Sequence, residues 1–351
     1  MWRMVDANLN RLCEGLRVLE DLARFVFQER ALAEEARAFR HQVARSREPR
    51  QAECLAFRDV AGDWGKDYHS LPYSSLKELT LANSRRVQEA ARVLEELARL
   101  GLPKGEELFR KVRFWAYAAE KKLYSLAAGE ERRRRCRRWR LYVIVGSEHT
   151  GGREVPAVVQ AAIAGGAEVI QLREKSLSTR ALYHLARQLR EITGEAGVDF
   201  IINDRVDVAL AVGADGVHLG SEDLPLPEAR RILGDKLLLG ATAHSLEEAL
   251  KAQAVGADYL GVGPVFPTAT KPDIPPGGLK LLREVVSRVS LPVVAIGGIT
   301  AENVREVLAQ PGVKCVAVVS AVAAAPDVKE AAARLKRAME GMDFDAAGSS
   351  P

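Results

Sequence analysis

From Leu141 onward the chain alternates short apolar runs with longer stretches in which Ala, Leu, Glu and Arg recur at helical spacing. The pattern predicts strands near 141–146, 169–174, 199–204, 216–220, 237–242, 259–265, 293–298 and 315–320. Eight strands in about two hundred residues, with helical patterns between most of them, predict an α/β fold of the (β/α)8 TIM-barrel type. A doubly wound open sheet is the alternative. The third and fourth strands leave room between them for only one brief helix, as small barrels permit.

Before Leu141 the pattern is almost entirely helical, with few turns apart from 59–75, so a separate all-α domain precedes the barrel. It contains a repeat. Ala7-Asn8 through Arg11, Glu14, Arg17-Val18-Leu19-Glu20 and Arg24 return 75 residues later as Ala82-Asn83, Arg86, Glu89, Arg92-Val93-Leu94-Glu95 and Arg99. An amphipathic helix accounts for the repeated Val-Leu pair but not for the repeated polar identities. Those point either to a duplicated helical hairpin that kept its ion-pair lattice or to a pseudo-symmetric ligand site; Glu14/Arg17 and Glu89/Arg92 are ordinary i,i+3 pairs. The predicted organisation is a helical domain at 1–130, an Arg-rich linker at 131–140, the barrel at 141–342 and a disordered tail at 343–351.

A chain of 351 residues exceeds most single cores, in keeping with one large domain and one smaller. Residues 1–140 hold 30 Lys and Arg against 21 Asp and Glu, whereas the remainder holds 21 against 26. A basic front half suits polyanionic partners. The run Arg132 to Arg135, Cys136, Arg137-Arg138-Trp139-Arg140 reads as a solvated linker or helix end leading into the first strand. RNA binding is the rival reading, and it needs more than charge; neither stacking aromatics nor a known nucleic-acid module accompanies the run. Cys13, Cys54, Cys136 and Cys315 lack CxxC spacing, so neither a zinc site nor a disulfide framework is expected. The start Met-Trp-Arg-Met lacks the apolar core of a signal peptide, and no apolar stretch has membrane length. The expectation is a cytoplasmic enzyme of small-molecule phosphates, free of membrane and nucleic acid, with its oligomeric state open.

The chemistry lies where the strands end. Gln171, Arg173, Glu174 and Lys175 follow the second strand, the end at which α/β barrels keep their active sites, and suit an anionic, oxygen-rich ligand. Asn203-Asp204 closes the third strand and Glu222-Asp223 follows the fourth. Either aspartate alone reads as a helix cap, but two carboxylates at one barrel mouth suit Mg2+ shared with phosphates. Thr268-Ala269-Thr270-Lys271 places two hydroxyls and an ammonium on a proline-bounded, non-helical segment able to bind a polyphosphate and close as a lid. Gly297-Gly298 and Ser320 occupy the place where many barrels hold a phosphate monoester, which makes two phosphate sites. Thr242 and His244 follow the fifth strand. His244 has no role assignable from spacing, and His218 reads as packed or site-lining rather than as a metal ligand.

In this order, Gln171-Leu-Arg-Glu-Lys175, Asn203-Asp204, Gly216-Val-His-Leu-Gly220 with Glu222-Asp223, Gly240-Ala-Thr-Ala-His244, Gly263 to Lys271, Gly297-Gly298-Ile299 and Val319-Ser320-Ala321 resemble thiamine-phosphate synthase across 139–340. That family joins hydroxymethylpyrimidine diphosphate to hydroxyethylthiazole phosphate with release of diphosphate. The resemblance implies that Gln171, Arg173, Lys175, Asn203, Thr242 and Lys271 hold the pyrimidine diphosphate, with Lys175, Thr242 and Lys271 as catalytic groups. It implies Mg2+ on Asp204 and Asp223, and the thiazole phosphate on Thr268, Ala269, Thr270, Gly298, Val319 and Ser320. The family is thought to ionise the C–O bond first, which fits a site rich in cations and without an obvious base. Thr242 stands where the family usually has Ser, and Val145-Gly146 where it commonly has Thr-Asp. The sister thiazole tautomerases share the barrel but generally lack the complete diphosphate and metal set.

Residues 2–126 resemble a domain fused to such synthases and regarded as a hydroxymethylpyrimidine phosphate kinase. The resemblance rests on Asp6 to Asp21, Phe39-Arg40-His41, Arg58-Asp59 with Gly62-Asp63, and Ala82-Asn83 through Arg86, Glu89, Arg92 and Glu95. It implies ATP as cosubstrate and a kinase site at Asn8, Arg11, Asn83 and Arg86. No GxxxxGK[ST] loop is present, and a non-catalytic helical assembly domain is the alternative.

Overall fold

The computed structural model describes residues 1–47, 56, 72–101, 105–268 and 276–340. The chain divides into two compact units, Met1–Glu131 and Arg132–Pro351. The expected tail at 343–351 and the segment 59–71 lie outside the described residues.

The first unit is helical: α1 (Trp2–Asp21), a π-helical turn (Leu22–Val26), α2 (Arg30–Arg47), α3 (Leu76–Arg99) and α4 (Glu106–Cys136), whose residues up to Glu131 belong here. In α1, Val5, Leu9, Leu12, Leu16 and Leu19 recur every three or four positions and all are buried; Val87, Ala90, Ala91, Leu94 and Leu97 do the same in α3. The two stripes meet closely because Gly15 has no side chain. A Cβ there would stand 2.7 Å from Val87 Cγ2 and 3.2 Å from the Asn83 carbonyl. The Ser75 hydroxyl caps α3 by accepting from Glu78 N at 3.1 Å.

In the second unit, the eight described strands are all parallel and close into a barrel in sequence order. They are β1 (Leu141–Val145), β2 (Val169–Leu172), β3 (Asp199–Asn203), β4 (Gly216–Leu219), β5 (Leu238–Ala243), β6 (Tyr259–Val262), β7 (Val293–Ile296) and β8 (Cys315–Val318). Each falls where the apolar pattern predicts it. The brief helix expected between β3 and β4 is α7 (Val206–Val212), preceded by α5 (Val155–Ala164) and α6 (Thr179–Ala196). Closure pairs Leu141 with Val316 and Val143 with Val318. Alternate strand residues face opposite ways, so two cores form. Val143, Ile170, Phe200 and Val217 pack outward against the helices, whereas Tyr142, Val169, Ile201, Leu238, Tyr259 and Val294 fill the barrel interior.

The arginine run is not simply solvated. Its first part continues α4 to Cys136, and Cys136 and Trp139 join the interior cluster. Arg132 Nε donates to both oxygens of Asp258, at 2.9 and 3.0 Å; Asp258 is 1% exposed and also accepts from Arg230 and from Leu239 N. Arg135 bridges Asp199 and Asp215, and Trp139 Nε1 donates to Asp199 at 2.5 Å. Those carboxylates stand at or just before the starts of β3, β4 and β6. Burying such charges costs several kcal/mol unless they are paired, and the arginines provide the pairs. The reading as a helix end thus agrees with the structure as far as Cys136, and the expectation of solvation is corrected for Arg132 and Trp139, while Arg135 is exposed but ion-paired. Arg134, Arg137 and Arg138 remain exposed.

Candidate active site

At the C-terminal ends of the strands the structure encloses a cavity of about 290 Å³. Of the residues singled out from the sequence, Gln171, Arg173, Asn203, Thr242, Thr268, Gly298, Val319 and Ser320 line it, as do His218 and His244. They arrive on β2, β3, β4 and β5, the turn after β6, and the ends of β7 and β8. Inward-facing positions near the strand ends point at one volume because the barrel closes on itself. Gly298 has φ +65°, and a Cβ there would lie 2.5 Å from the Pro267 carbonyl, so only glycine lets the β7 turn lie against the segment after β6. Ala269, Thr270 and Lys271 lie outside the described residues.

Lys175, Asp204 and Asp223 are not in the cavity lining and form their own charged cluster. Lys175 Nζ is ion-paired with Asp204 Oδ2. Asp204 adopts a left-handed backbone, φ 63°, and its N–H donates to the His218 carbonyl at 2.9 Å. A non-glycine residue held there has its direction imposed by its surroundings. Asp223 accepts from Gly220 N at 2.7 Å. Burial pushes the Asp223 carboxyl above its usual range, and the neighbouring Asp204 carboxyl pushes it further. Two facing carboxylates whose mutual repulsion one lysine only partly offsets form a fitting site for a hard divalent cation. Among the described residues no group of three or more His, Cys, Asp or Glu could hold a metal. Asp204 and Asp223 would supply two oxygen ligands to such a cation, and Mg2+ habitually completes its shell with water or phosphate.

Neighbouring groups fix the approach. Arg173 pairs with Glu148 at 2.9 Å, and Glu174 accepts from Ser147 N at 2.6 Å and from its hydroxyl at 2.8 Å, tying the β1 loop to the β2 loop. His244 Nδ1 donates to the Gly263 carbonyl at 2.6 Å, which fixes its tautomer.

Tyr142 and Tyr259 were missed by sequence reasoning. Both line the cavity floor, fully buried, and link Gln171 to His218. Each lies at the apolar beginning of a strand, and a tyrosine there reads as core; no sequence signal marks it otherwise.

In the helical unit three of the four residues expected at a kinase site have local partners. Asn8 and Asn83 are buried, and their amides donate to carbonyls one turn earlier in their own helices, at 2.8 and 2.9 Å. Arg86 donates to Asn83 Oδ1 at 3.3 Å, and Arg11 is exposed. A groove on this unit is lined by other residues, among them Glu20, Arg24, Arg30, Glu34 and Arg37.

A family model described as thiamine monophosphate synthase matches residues 141–322, and a second, described as the ThiD2 family, matches 3–122. The chain is 42% identical to a thiamine-phosphate synthase of Gloeobacter violaceus over 328 residues, which cover 93% of both chains. It is 41% identical to one from a Nostoc species, over 91% of this chain and 88% of that. A thiamine-phosphate synthase of Chloroflexus aurantiacus is 55% identical over 56% of this chain and 91% of its own length. Among solved structures, a thiamine phosphate pyrophosphorylase from Pyrococcus furiosus superposes with a TM-score of 0.54 at 47% identity, covering 59% of this chain and 97% of that.

Proposed function

The chain belongs to the thiamine monophosphate synthase family, and from that premise we propose that its barrel joins an aminopyrimidine methyl diphosphate to hydroxyethylthiazole phosphate, forming thiamine phosphate and releasing diphosphate. The observation that carries this is the convergence of Gln171, Asn203 and Thr242 from one side, and Gly298, Val319 and Ser320 from the other, on one cavity with a carboxylate–ammonium cluster beside it.

In the proposed reaction the pyrimidine CH2–O bond breaks, its electron pair leaves on diphosphate, and the thiazole nitrogen lone pair forms the new CH2–N bond, giving the thiazolium cation. No proton need be removed from the nucleophile, so a general base is not required. The chain's task is to hold the leaving group and stabilise its growing charge. Arg173, Lys175 and Lys271 serve the diphosphate, with Asn203 and Thr242 as hydrogen-bond partners. Gln171 orients the pyrimidine. Gly298, Val319 and Ser320 take the thiazole phosphate together with the segment Thr268-Ala269-Thr270. Asp204 and Asp223 would hold Mg2+, which neutralises phosphate charge when bound. In this reading Lys175, paired with Asp204 in the structure, would exchange that partner for the diphosphate.

For the helical unit we propose ATP-dependent phosphorylation of the pyrimidine monophosphate, which would supply the barrel's substrate. The match to the ThiD2 family supports it. A non-catalytic assembly role is favoured by a different observation, the internal satisfaction of Asn8 and Asn83. The test incubates the full-length protein with thiazole phosphate and Mg2+, giving one reaction the pyrimidine diphosphate and another the monophosphate with ATP. Thiamine phosphate in both supports both activities. Product from the diphosphate alone removes the kinase, and product in neither removes the synthase assignment.

A further inference from the structure

Five side chains on the cavity floor form one hydrogen-bonded chain. Gln171 Nε2 donates to Tyr142 Oη at 2.7 Å, Tyr142 Oη meets Tyr259 Oη at 3.1 Å, Tyr259 Oη meets His218 Nδ1 at 3.1 Å, and His218 Nε2 meets Thr242 Oγ1 at 2.9 Å. All five line the cavity, and Gln171, Tyr142 and Tyr259 are buried. Its protons can be counted. Each tyrosine has one hydroxyl proton. With the His218 ring neutral and Tyr142 accepting from the Gln171 amide, the arrangement that satisfies every link sends the Tyr142 proton to Tyr259 and that of Tyr259 to His218 Nδ1. The ring then carries its proton on Nε2 and donates to Thr242, whose hydroxyl proton turns from His218 toward the cavity. Burial pushes both phenols above their usual range, so neither ionises to break the sequence.

We infer that Tyr142 and Tyr259 are positioning residues that lock the hydrogen-bond polarity of the pyrimidine site, making Gln171 Oε1 an acceptor and Thr242 a donor at the same time. Reversing one end requires reversing every link. The site therefore selects a ligand with a donor, such as a ring amine, at Gln171 and an acceptor at Thr242. With the diphosphate accepting from Thr242, a pyrimidine whose amine is replaced by a keto group sets an acceptor against Gln171 Oε1. The chain can meet it only by reversing every link and withdrawing the Thr242 proton from the diphosphate, so one polar group is left unpaired either way, the condition under which a site discriminates most strongly. This rests on the proposed pyrimidine diphosphate reading. It adds the source of the specificity, two residues that do not bind the reacting atoms.

The test measures calorimetric Kd and kcat/KM for the amino- and keto-pyrimidine diphosphates in the full-length wild type, Tyr259→Phe, Tyr142→Phe and the double variant. Phenylalanine keeps the ring packing and removes only the hydroxyl. The expected result is a fall of about tenfold or more in the amino-to-keto preference in each single variant. No further fall is expected in the double variant, because either change breaks the same chain. The KM for thiazole phosphate should stay near wild type. Unchanged preference in folded single variants, or losses that add in the double, would overturn the relay. A wild type that binds the aminopyrimidine tightly but forms no thiamine phosphate would sink the proposed reaction, and the Kd ratios would still decide the relay.

Discussion

Glu20 and Glu95 stand 75 positions apart in the chain and in the same surroundings in the fold. Each is buried at the end of a repeated helix segment, and each accepts from an arginine Nε on the next helix at 2.9 Å, Arg40 for Glu20 and Arg113 for Glu95. Each also has an arginine three positions earlier, Arg17 at 4.0 Å and Arg92 at 3.5 Å. Of the two explanations for the repeat, the duplicated hairpin with a preserved ion-pair lattice is the one these contacts support.

Removing Arg113 leaves the buried Glu95 only its longer contacts to Arg92 and Arg99, both at 3.5 Å. Arg113→Met is expected to destabilise the helical unit by roughly 3 kcal/mol, and Glu95→Gln/Arg113→Met by less. Calorimetry of the full chain reads both. Similar losses in the single and double variants would mean that Arg113 contributes packing alone.

The same pair sets an acid limit. Burial alone would push the Glu95 carboxyl up, but Arg113, with Arg92 and Arg99, holds it below the usual range. Its stabilisation is thus present above the unfolded carboxylate value and is lost as pH falls through the folded one. Thermal scans below pH 5 are expected to show a shallower decline in Glu95→Gln than in wild type, pH 5 being about where carboxylate protonation begins to matter.

Asp223 has the opposite sign. Its carboxyl is raised by burial and by Asp204, so without a divalent cation its contribution is present in acid and lost as pH rises through the folded value. Adding Mg2+ should restore stability on the alkaline side. Asp223→Asn should abolish that restoration and weaken Mg2+ binding at least about tenfold, which corresponds to 1.4 kcal/mol. A Mg2+ titration followed by thermal shift would contradict the assignment if the Asn variant kept the wild-type midpoint.

Lys175→Ala removes the ammonium paired with Asp204 and proposed for the leaving diphosphate. The expected loss in kcat is about a hundredfold, the scale on which single charge-stabilising donors act, with little change in stability because the lysine is half-exposed. Steady-state kinetics beside a melting curve separates the two.

Arg132→Ser leaves Asp258 with Arg230 alone and is expected to cost the barrel roughly 3 kcal/mol. Salt-dependent RNA binding that vanishes in this variant, without loss of stability, would instead revive the nucleic-acid reading of the arginine run.

Much of this was legible from residue order. The strands were readable because apolar runs at this spacing, bounded by turns, have few other uses in an α/β chain, and the polar residues closing them were readable because barrel strands end in the site. Gln171, Asn203, Thr242 and Ser320 could be picked out singly. Tyr142 could not, since a tyrosine inside Leu-Tyr-Val-Ile-Val differs in nothing visible from a packed one. Arg132 in a run of arginines likewise shows no sign of which member is buried.

Residue order by itself determined the barrel, the helical region before it, the repeat and the polar residues that end each strand. These follow from local periodicity and from which side chains interrupt an apolar run. Tertiary structure alone decided that Arg132 meets Asp258, that Lys175 faces Asp204, and that Gln171 reaches Thr242 through two tyrosines and a histidine. Such pairings join strands and loops tens of residues apart. A side chain's role there depends on which partner barrel closure brings within about 3 Å, the reach of a hydrogen bond, and no local pattern carries that distance.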